Sequence, residues 1–395
     1  MLQSPPRRLM VLLILLAALP LLSLNMFLPS LTEMSEDFDI GYDKMTVAVS
    51  GYLIFTAFIQ LAAGPLADRF GRRPIILSAL GIFGLASIGC ALAPSYDIFI
   101  ACRIAQGAIA TGLALSRTVV GDISTPEGSA STLGYISMVM SLAPILGPSF
   151  GGLLAELFGW RSNFLFYAIS SFVLWIFIWR LLPETSSKVD TNISTFLKSY
   201  IELTLSFPFW MYTAVMVCGV GGFFVFVSGI PLVAETQFKM DQVEIGILIG
   251  TVTMGFLLGS FLSGRLAAKH GPVRMIFYGR FVAFCGVFTS LCLIYIGLVA
   301  RSTVIFGALC VGLGNGLSMP SASTAVMYVK KGLGGSASGL SGAMVVLIGG
   351  VMTSVTGVAV GNHPTAMTLM VIIACLTFAG LLFAFGVIYM TREKN

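Results

Sequence analysis

The feature that most constrains this chain is the length of its uncharged apolar segments. Residues 332–391 form a run of 60 residues without a formally charged side chain. A helix that crosses the ~30 Å hydrocarbon core of a bilayer needs ~20 mostly apolar residues. This run is therefore long enough for two spanning helices, and the turn Gly361-Asn362-His363-Pro364 divides it between them.

The composition extends this interpretation to the whole chain. Hydrophobic residues make up 57% of the 395 residues and charged residues only 10%, whereas soluble domains carry about 25% charged residues. These values exclude a soluble enzyme and a disordered chain, and the long unbroken apolar runs exclude a transmembrane β-barrel. Counting the uncharged runs predicts an all-α polytopic membrane protein with 12 transmembrane helices.

The longest polar interval lies in the middle of the chain, at residues 183–207. It is too short for a soluble domain, so we interpret it as a cytoplasmic linker between two six-helix bundles, residues 1–182 and 208–395. An internal repeat supports a duplication, because residues 64–71 (GPLADRFG) and 264–271 (GRLAAKHG) match at an offset of 200. Parallel repeats of this kind are a transporter architecture.

The basic residues predict the orientation. With the N-terminus placed inside, sixteen of the 22 Lys and Arg residues fall in inner segments, four in outer segments and two within spans. Because inner loops of membrane proteins are enriched in Lys and Arg, we expect both termini to be cytoplasmic.

Three motifs in the first half carry a family resemblance, and they are residues 64–77 (GPLADRFGRRPIIL), 103–107 (RIAQG) and 143–152 (APILGPSFGG). The first resembles the loop signature of the major facilitator superfamily, the second its fourth-helix motif and the third its fifth-helix antiporter motif. Shorter segments add detail: NMFLP at 25–29, WR at 160–161 and LPET at 182–185. Together they resemble the bicyclomycin/chloramphenicol-resistance (Bcr/CflA-like) branch of drug:proton antiporters.

The first motif is a candidate gate at the inner face. Its residues Gly64, Asp68, Arg69, Gly71, Arg72 and Arg73 lie between spans two and three, and Gly71 permits the tight turn there. The resemblance implies that Asp68, Arg69 and Arg72 form a latch between the halves, which Arg117 and Asp122 join at the end of span four. The alternative is a positive-inside anchor without a gating role.

Arg103 is the most informative single residue within a span. It lies six positions past Asp97, which places it ~9 Å below the outer boundary. A charge at that depth usually faces a cavity or a partner, and Gln106 lies on the same helix face. Snorkelling to the interface is the alternative, and snorkelling or a lipid headgroup contact is our interpretation of Arg280.

Two further helices have unusual glycine and proline content. Span five contains Pro144, Gly147, Pro148, Gly151 and Gly152, a set that predicts a kinked helix able to bend and to pack closely. Span ten contains Gly312, Gly314 and Gly316, which predict close packing, and Asn315 is a candidate cavity residue.

One position departs from the family pattern. Relatives carry an acidic residue on helix one just before the Met-aromatic-Leu-Pro run, and here that residue is Asn25. Three alternatives stay open: protons use groups near span ends such as Glu33 or Asp122, an anionic substrate pairs with Arg103, or transport is uncoupled.

The resemblance thus implies a transporter of the bacterial cytoplasmic membrane that exports small amphipathic molecules by alternating access and proton antiport, as in multidrug efflux and antibiotic resistance. The alternatives are an exporter of an anionic metabolite or siderophore, or an uncoupled facilitator. No catalytic set, metal site or cofactor motif occurs in the spans, so an intramembrane enzyme and a transporter-fold sensor rank lower. The expected partners are the substrate, protons and lipid, without nucleic acid, and the expected state is a monomer.

Overall fold

The computed structural model describes residues 7–123, 126–185, 193–330 and 333–392, and these residues form helices joined by short connections. The first part of the chain contains α1 (Arg7–Asn25), α2 (Leu31–Asp37), α3 (Tyr42–Met45), α4 (Val47–Phe70), α5 (Arg72–Ala91), α6 (Tyr96–Ala105), α7 (Ala110–Ile123), α8 (Pro126–Phe158) and α9 (Arg161–Leu181). Short 3₁₀ turns, Leu28–Ser30 and Gln106–Ile109, interrupt spans one and four.

The second part contains one short helix followed by six long ones. These are α10 (Ile193–Thr204), α11 (Phe207–Phe238), α12 (Gln242–His270), α13 (Pro272–Tyr295), α14 (Arg301–Met327), α15 (Gly334–Asn362) and α16 (Ala366–Arg392). Helix α10 lies inside the segment interpreted from sequence as a linker. Leu203 of α10 is fully buried in a cluster with residues of α11 and α15.

The span count agrees with the sequence prediction. Eleven stretches of the described residues are long and apolar enough to cross a membrane. The twelfth predicted span corresponds to α8, which has 33 residues and whose described apolar stretch is Leu142–Phe158. The predicted all-α polytopic fold is therefore confirmed, and the predicted domain boundaries stay a prediction.

The internal repeat has the same local geometry in both copies. Helix α4 ends before Gly71, at φ +97° and ψ 150°, and α12 ends before Gly271, at φ +78° and ψ 157°. The amide of Gly71 bonds to the carbonyl of Ala67, and that of Gly271 to Ala267, both at 2.9 Å. Only glycine adopts this backbone region without strain, so the repeated glycine follows from a repeated tight turn.

Glycines also set how closely the helices of the second repeat approach each other. A Cβ at Gly312 would collide with the carbonyl oxygen of Val252, and one at Gly316 with that of Phe256. From the facing helix α12, Gly255 meets the carbonyl of Leu309. Helices α12 and α14 thus touch backbone to backbone, which confirms the close packing predicted for span ten.

Candidate functional site

A mostly apolar cavity of about 220 Å³ lies in the second repeat, where it meets α8 of the first. Pro144 of α8 contributes to it from the first repeat, and the second repeat supplies Phe223, Thr253, Phe256, Asn315 and Met319 among others. A concave apolar surface with few polar groups is the usual form of a small-molecule site. Of the four residues predicted to line the pathway, Asn315 is the one found among the lining residues.

Helix α8 reaches both repeats through its glycine and proline motif. A Cβ at Gly151 would collide with the backbone carbonyl of Met26 in the first repeat. On the other side, a Cβ at Gly152 would lie 2.5 Å from the carbonyl oxygen of Gln242, and the carbonyl of Pro148 lies against Gly246. Small residues are therefore required at this crossing because backbone faces backbone on two sides.

Arg103 lies in a sealed polar cluster of the first repeat. Its side chain is fully buried, and its guanidinium carbon lies 4.3 Å from the ring centroids of both Phe27 and Tyr52. The guanidinium donates to Ser23 Oγ at 3.0 Å, to the Ser23 carbonyl at 2.9 Å and to Gln106 Oε1 at 2.5 Å. It does not snorkel to the interface, and its role in the pathway stays a prediction.

The other two pathway residues have different surroundings. Gln106 bonds Arg103 and also donates from Nε2 to Ser87 Oγ at 2.7 Å, so the structure brings these predicted residues together. Asn25 is 2% exposed and donates to the Leu21 carbonyl at 2.7 Å. Its Cβ lies 3.7 Å from where a Cβ of Gly147 would stand, which places Asn25 beside the α8 motif.

The interpretation of Arg280 as a snorkelling residue is wrong. Its side chain is 1% exposed, and Nη2 donates to Asn315 Oδ1 at 2.6 Å and to Ser318 Oγ at 2.5 Å. These partners belong to α14, so the neighbours of Arg280 on its own helix gave no indication of them. The arginine therefore points into the second repeat, behind the wall of the cavity.

Contacts between the repeats form a seam, by which we mean the surface where α1–α9 meet α11–α16. Tyr42 Oη donates to the Ser228 carbonyl at 2.6 Å. Gln242 Nε2 donates to Glu33 Oε2 at 2.6 Å, and Gln242 Oε1 accepts from Ser30 Oγ at 3.1 Å. Hydrogen bonds thus join the repeats at the end of the bundle that the sequence predicts to face outside.

Comparison with known proteins identifies the family. The sequence profile described as Major Facilitator Superfamily matches residues 13–354. This chain belongs to that superfamily. It is a transporter of this family rather than an enzyme, and the resemblance inferred from the motifs is confirmed.

Three curated proteins are similar to the chain. An MFS-type transporter, YdgK, of Bacillus subtilis (strain 168) is 27% identical over 96% of this chain and 94% of its own length. Multidrug resistance protein D of Escherichia coli (strain K12) is 25% identical over 94% of this chain and 95% of its own length. A chloramphenicol resistance protein of Pseudomonas aeruginosa is 28% identical over 65% of this chain and 62% of its own length.

A solved transporter structure has the same fold. The crystal structure of a D-xylose-proton symporter superposes with a TM-score of 0.74 at 16% identity, covering 96% of this chain and 97% of that chain. At this identity the likeness concerns the fold alone. It agrees with the all-α polytopic fold of this chain.

The structure describes only part of the superfamily's loop motif, which lies between α4 and α5. The side-chain surroundings of Gly64, Asp68, Arg117 and Asp122 lie outside the described residues, so the latch stays a prediction. Arg69 is exposed, and its guanidinium carbon lies 5.4 Å from the ring centroid of Phe70.

Glu184 is a residue of this region to which the sequence reasoning gave no role. Its carboxylate accepts from the backbone amides of Arg72 at 2.9 Å and Arg73 at 3.3 Å. These amides begin α5, where the helix dipole also favours a negative charge. The carboxylate occupies the place where a Cβ of Gly71 would stand. The LPET segment at 182–185 was the available signal, since it carries an acid immediately after span six.

Proposed function

We propose that this protein exports small amphipathic molecules across the bacterial cytoplasmic membrane by alternating access, in exchange for protons. The observation that carries the proposal is the cavity at the seam, which takes Pro144 from one repeat and Thr253 and Asn315 from the other. A site between two bodies that rock against each other can open to either side in turn. The names of the multidrug and chloramphenicol resistance relatives support export as the direction.

The proposed topology has both termini in the cytoplasm, with residues 1–182 and 208–395 as the two rocking bodies. In that orientation the hydrogen bonds Tyr42–Ser228 and Gln242–Glu33 lie at the outer end. They would close the cavity to the outside, while rupture of these bonds would accompany release of substrate. We propose that the protein acts as a monomer.

Glu33 is the proposed proton-coupling residue. It is half-buried at the seam, and its carboxylate accepts the bond that Gln242 donates across the repeats. Its hydrogen bond and its access to water both change when the seam opens, which is the property that a coupling carboxylate requires. Protonation weakens a charge-assisted hydrogen bond, so proton binding would favour opening at this end.

Transport in proteoliposomes tests the proposal. We expect saturable, counterflow-capable uptake of radiolabelled chloramphenicol into vesicles, with accumulation when the lumen is made acidic. Absence of saturable counterflow would contradict transport of this compound class. Accumulation that ignores the pH gradient would contradict proton coupling and favour the uncoupled alternative.

Two matched variants test the coupling residue. Glu33→Gln removes the protonatable group but keeps a hydrogen-bond acceptor, so we expect counterflow without a response to the pH gradient. Glu156→Gln removes an exposed carboxylate near the same end of the bundle and is expected to behave as wild type. A Glu33→Gln protein that still follows the gradient would exclude Glu33 as the coupling residue.

A further inference from the structure

The second repeat buries a positive charge directly behind the cavity. Arg280 is 1% exposed, and its described hydrogen-bond partners are the neutral side chains Asn315 and Ser318. Its Nε and Nη1 groups are buried without a hydrogen-bond partner among the described residues. A buried charge is usually paired and fully hydrogen-bonded. Arg280 is therefore unusual, because two of its three nitrogens have no hydrogen-bond partner among the described residues.

Arg103 is a buried arginine of the same protein whose hydrogen-bonding groups are satisfied. All three of its nitrogens donate hydrogen bonds, with Nε bonded to the Ala48 carbonyl at 3.2 Å. Two aromatic rings, those of Phe27 and Tyr52, also lie against its guanidinium. The two arginines are the only buried charged side chains of the described residues, and of the two it is Arg280 that contacts a cavity-lining residue.

Asn315 connects Arg280 to the cavity, because it contacts the arginine and also lines the cavity. Arginine has donors only, so the atom of Asn315 that faces Arg280 must be the oxygen, and the amide orientation is fixed. The nitrogen then points the other way and donates to the Gly219 carbonyl at 3.0 Å. An Nδ2 group carries two hydrogens, and the second is left for a ligand in the cavity that Asn315 lines.

Thr253 adds an independent polar group to the same cavity. It lines the cavity from α12, is 5% exposed, and its Oγ1 has no hydrogen-bond partner among the described residues. The remaining lining includes Val220, Phe223 and Phe256. Among the described lining side chains, the polar groups are therefore those of Thr253 and Asn315, and Asn315 contacts the cation Arg280.

We propose that this cavity binds lipophilic carboxylates, with the carboxylate accepting hydrogen bonds from Asn315 Nδ2 and Thr253 Oγ1 in the field of Arg280. The proposal rests on the proposed export function and specifies its substrate class. In a medium of low dielectric a nearby charge acts strongly on a ligand. Within the described part of the spans both buried charges are positive, so the cavity favours an anion over a neutral or cationic isostere.

Ligand binding to the purified full-length protein in nanodiscs tests this inference. The probes are 1-naphthaleneacetate, its methyl ester and a naphthylmethyl trimethylammonium ion, which share the aromatic body and differ in charge. We expect wild type to bind the carboxylate about tenfold or more tightly than the ester, as a charge-assisted hydrogen bond would give, and to bind the cation weakest. Equal affinity for carboxylate and ester would overturn the inference.

Four variants identify the residues responsible. Asn315→Asp keeps the shape, pairs Arg280 with a carboxylate at the position of Oδ1 and neutralises it, so carboxylate binding is lost while ester binding is kept. Thr253→Val removes only a hydroxyl without a partner and lowers the carboxylate affinity several-fold. Arg280→Lys retains the preference for the anion and Arg280→Gln abolishes it. A full carboxylate preference in Asn315→Asp would exclude the assignment even if Arg280→Gln does not fold.

The inference and the proposed function fail in different ways. Wild-type protein that moves chloramphenicol in counterflow but binds the carboxylate no better than the ester would overturn the substrate class alone. Wild-type protein that prefers the carboxylate but transports neither compound would overturn export and leave the binding site in place.

Discussion

Gln242 Nε2 donates a 2.6 Å hydrogen bond to Glu33 Oε2 across the seam. The same amide accepts from Ser30 Oγ at 3.1 Å, so one side chain of the second repeat has both of its polar ends bonded to the first. Separation of the repeats at this end must break both bonds. Gln242 is therefore a determinant of the equilibrium between the two conformations.

The first prediction is that Gln242→Leu shifts this equilibrium toward the form in which the seam is open at this end. A hydrogen bond to a charged group contributes about 1.5–3 kcal/mol, so we expect a population shift of about tenfold or more. The measurement is the distance distribution between spin labels placed at the exposed positions Lys44 and Lys239. Thr236→Val is the control, because the hydrogen bond described for its hydroxyl stays within its own helix, at the Leu232 carbonyl.

Arg103→Lys is expected to destabilise the protein although it keeps the positive charge. Lysine cannot lie flat between Phe27 and Tyr52, and it cannot reach Ser23 and Gln106 with a planar fork of donors. Each buried acceptor left unpaired costs about 1–3 kcal/mol, and thermal unfolding followed by size-exclusion chromatography measures the loss. Arg69→Lys, at an exposed position, should leave the unfolding temperature unchanged. An unaltered unfolding temperature in Arg103→Lys would show that the hydrogen-bonded fork is dispensable.

Gly151→Ala is expected to disrupt the crossing of α8 with the first span. The added Cβ would collide with the backbone carbonyl of Met26, and a backbone atom cannot rotate away, so we expect about 1–3 kcal/mol of destabilisation. Gly342→Ala is the matched helical control, since a Cβ there meets no described atom within 4 Å. That control should be neutral or stabilising by about 0.5–1 kcal/mol. Equal stabilities of the two variants would refute the close approach.

The pair Gly71→Ala and Gly271→Ala separates backbone strain from a specific contact. Both glycines have positive φ, so either substitution costs about 1–3 kcal/mol of strain. At Gly71 the new Cβ also displaces the Glu184 carboxylate, whereas at Gly271 no described atom lies within 4 Å. We expect Gly71→Ala to reduce both stability and transport more than Gly271→Ala. A Glu184→Ala background should remove most of that difference.

The parts of the fold that could be predicted are those determined by residues close together in the sequence. The spans follow from uncharged runs, the tight turns from repeated glycines, and the Arg103–Gln106 contact from a spacing of three residues on one helix. The glycines of span ten predicted close packing because a residue without a side chain has few other uses inside a membrane helix. Each of these signals lies within a few residues of the feature that it predicts.

The parts that could not be predicted depend on residues far apart in the chain. Arg280 and Asn315 are separated by 35 positions, and Glu33 and Gln242 by 209. Such contacts arise from the packing of different helices, about which the spacing along one helix gives no information. Arg280 was misinterpreted for this reason, because its partners lie on α14 and not on its own helix α13.

The cavity is carried almost entirely by one of the two moving bodies. Of its nine described lining residues only Pro144 belongs to the first repeat. Most of the others lie on α12 and α14, whose backbones are in direct contact. A compound bound in this cavity would move together with the second repeat and would keep nearly the same contacts in both conformations. A ligand biases a conformational equilibrium only by its difference in affinity between the two states. Substrate binding would therefore shift the equilibrium between the two conformations only slightly. The direction of net flux would instead depend on the groups at the seam, such as Glu33 and Gln242.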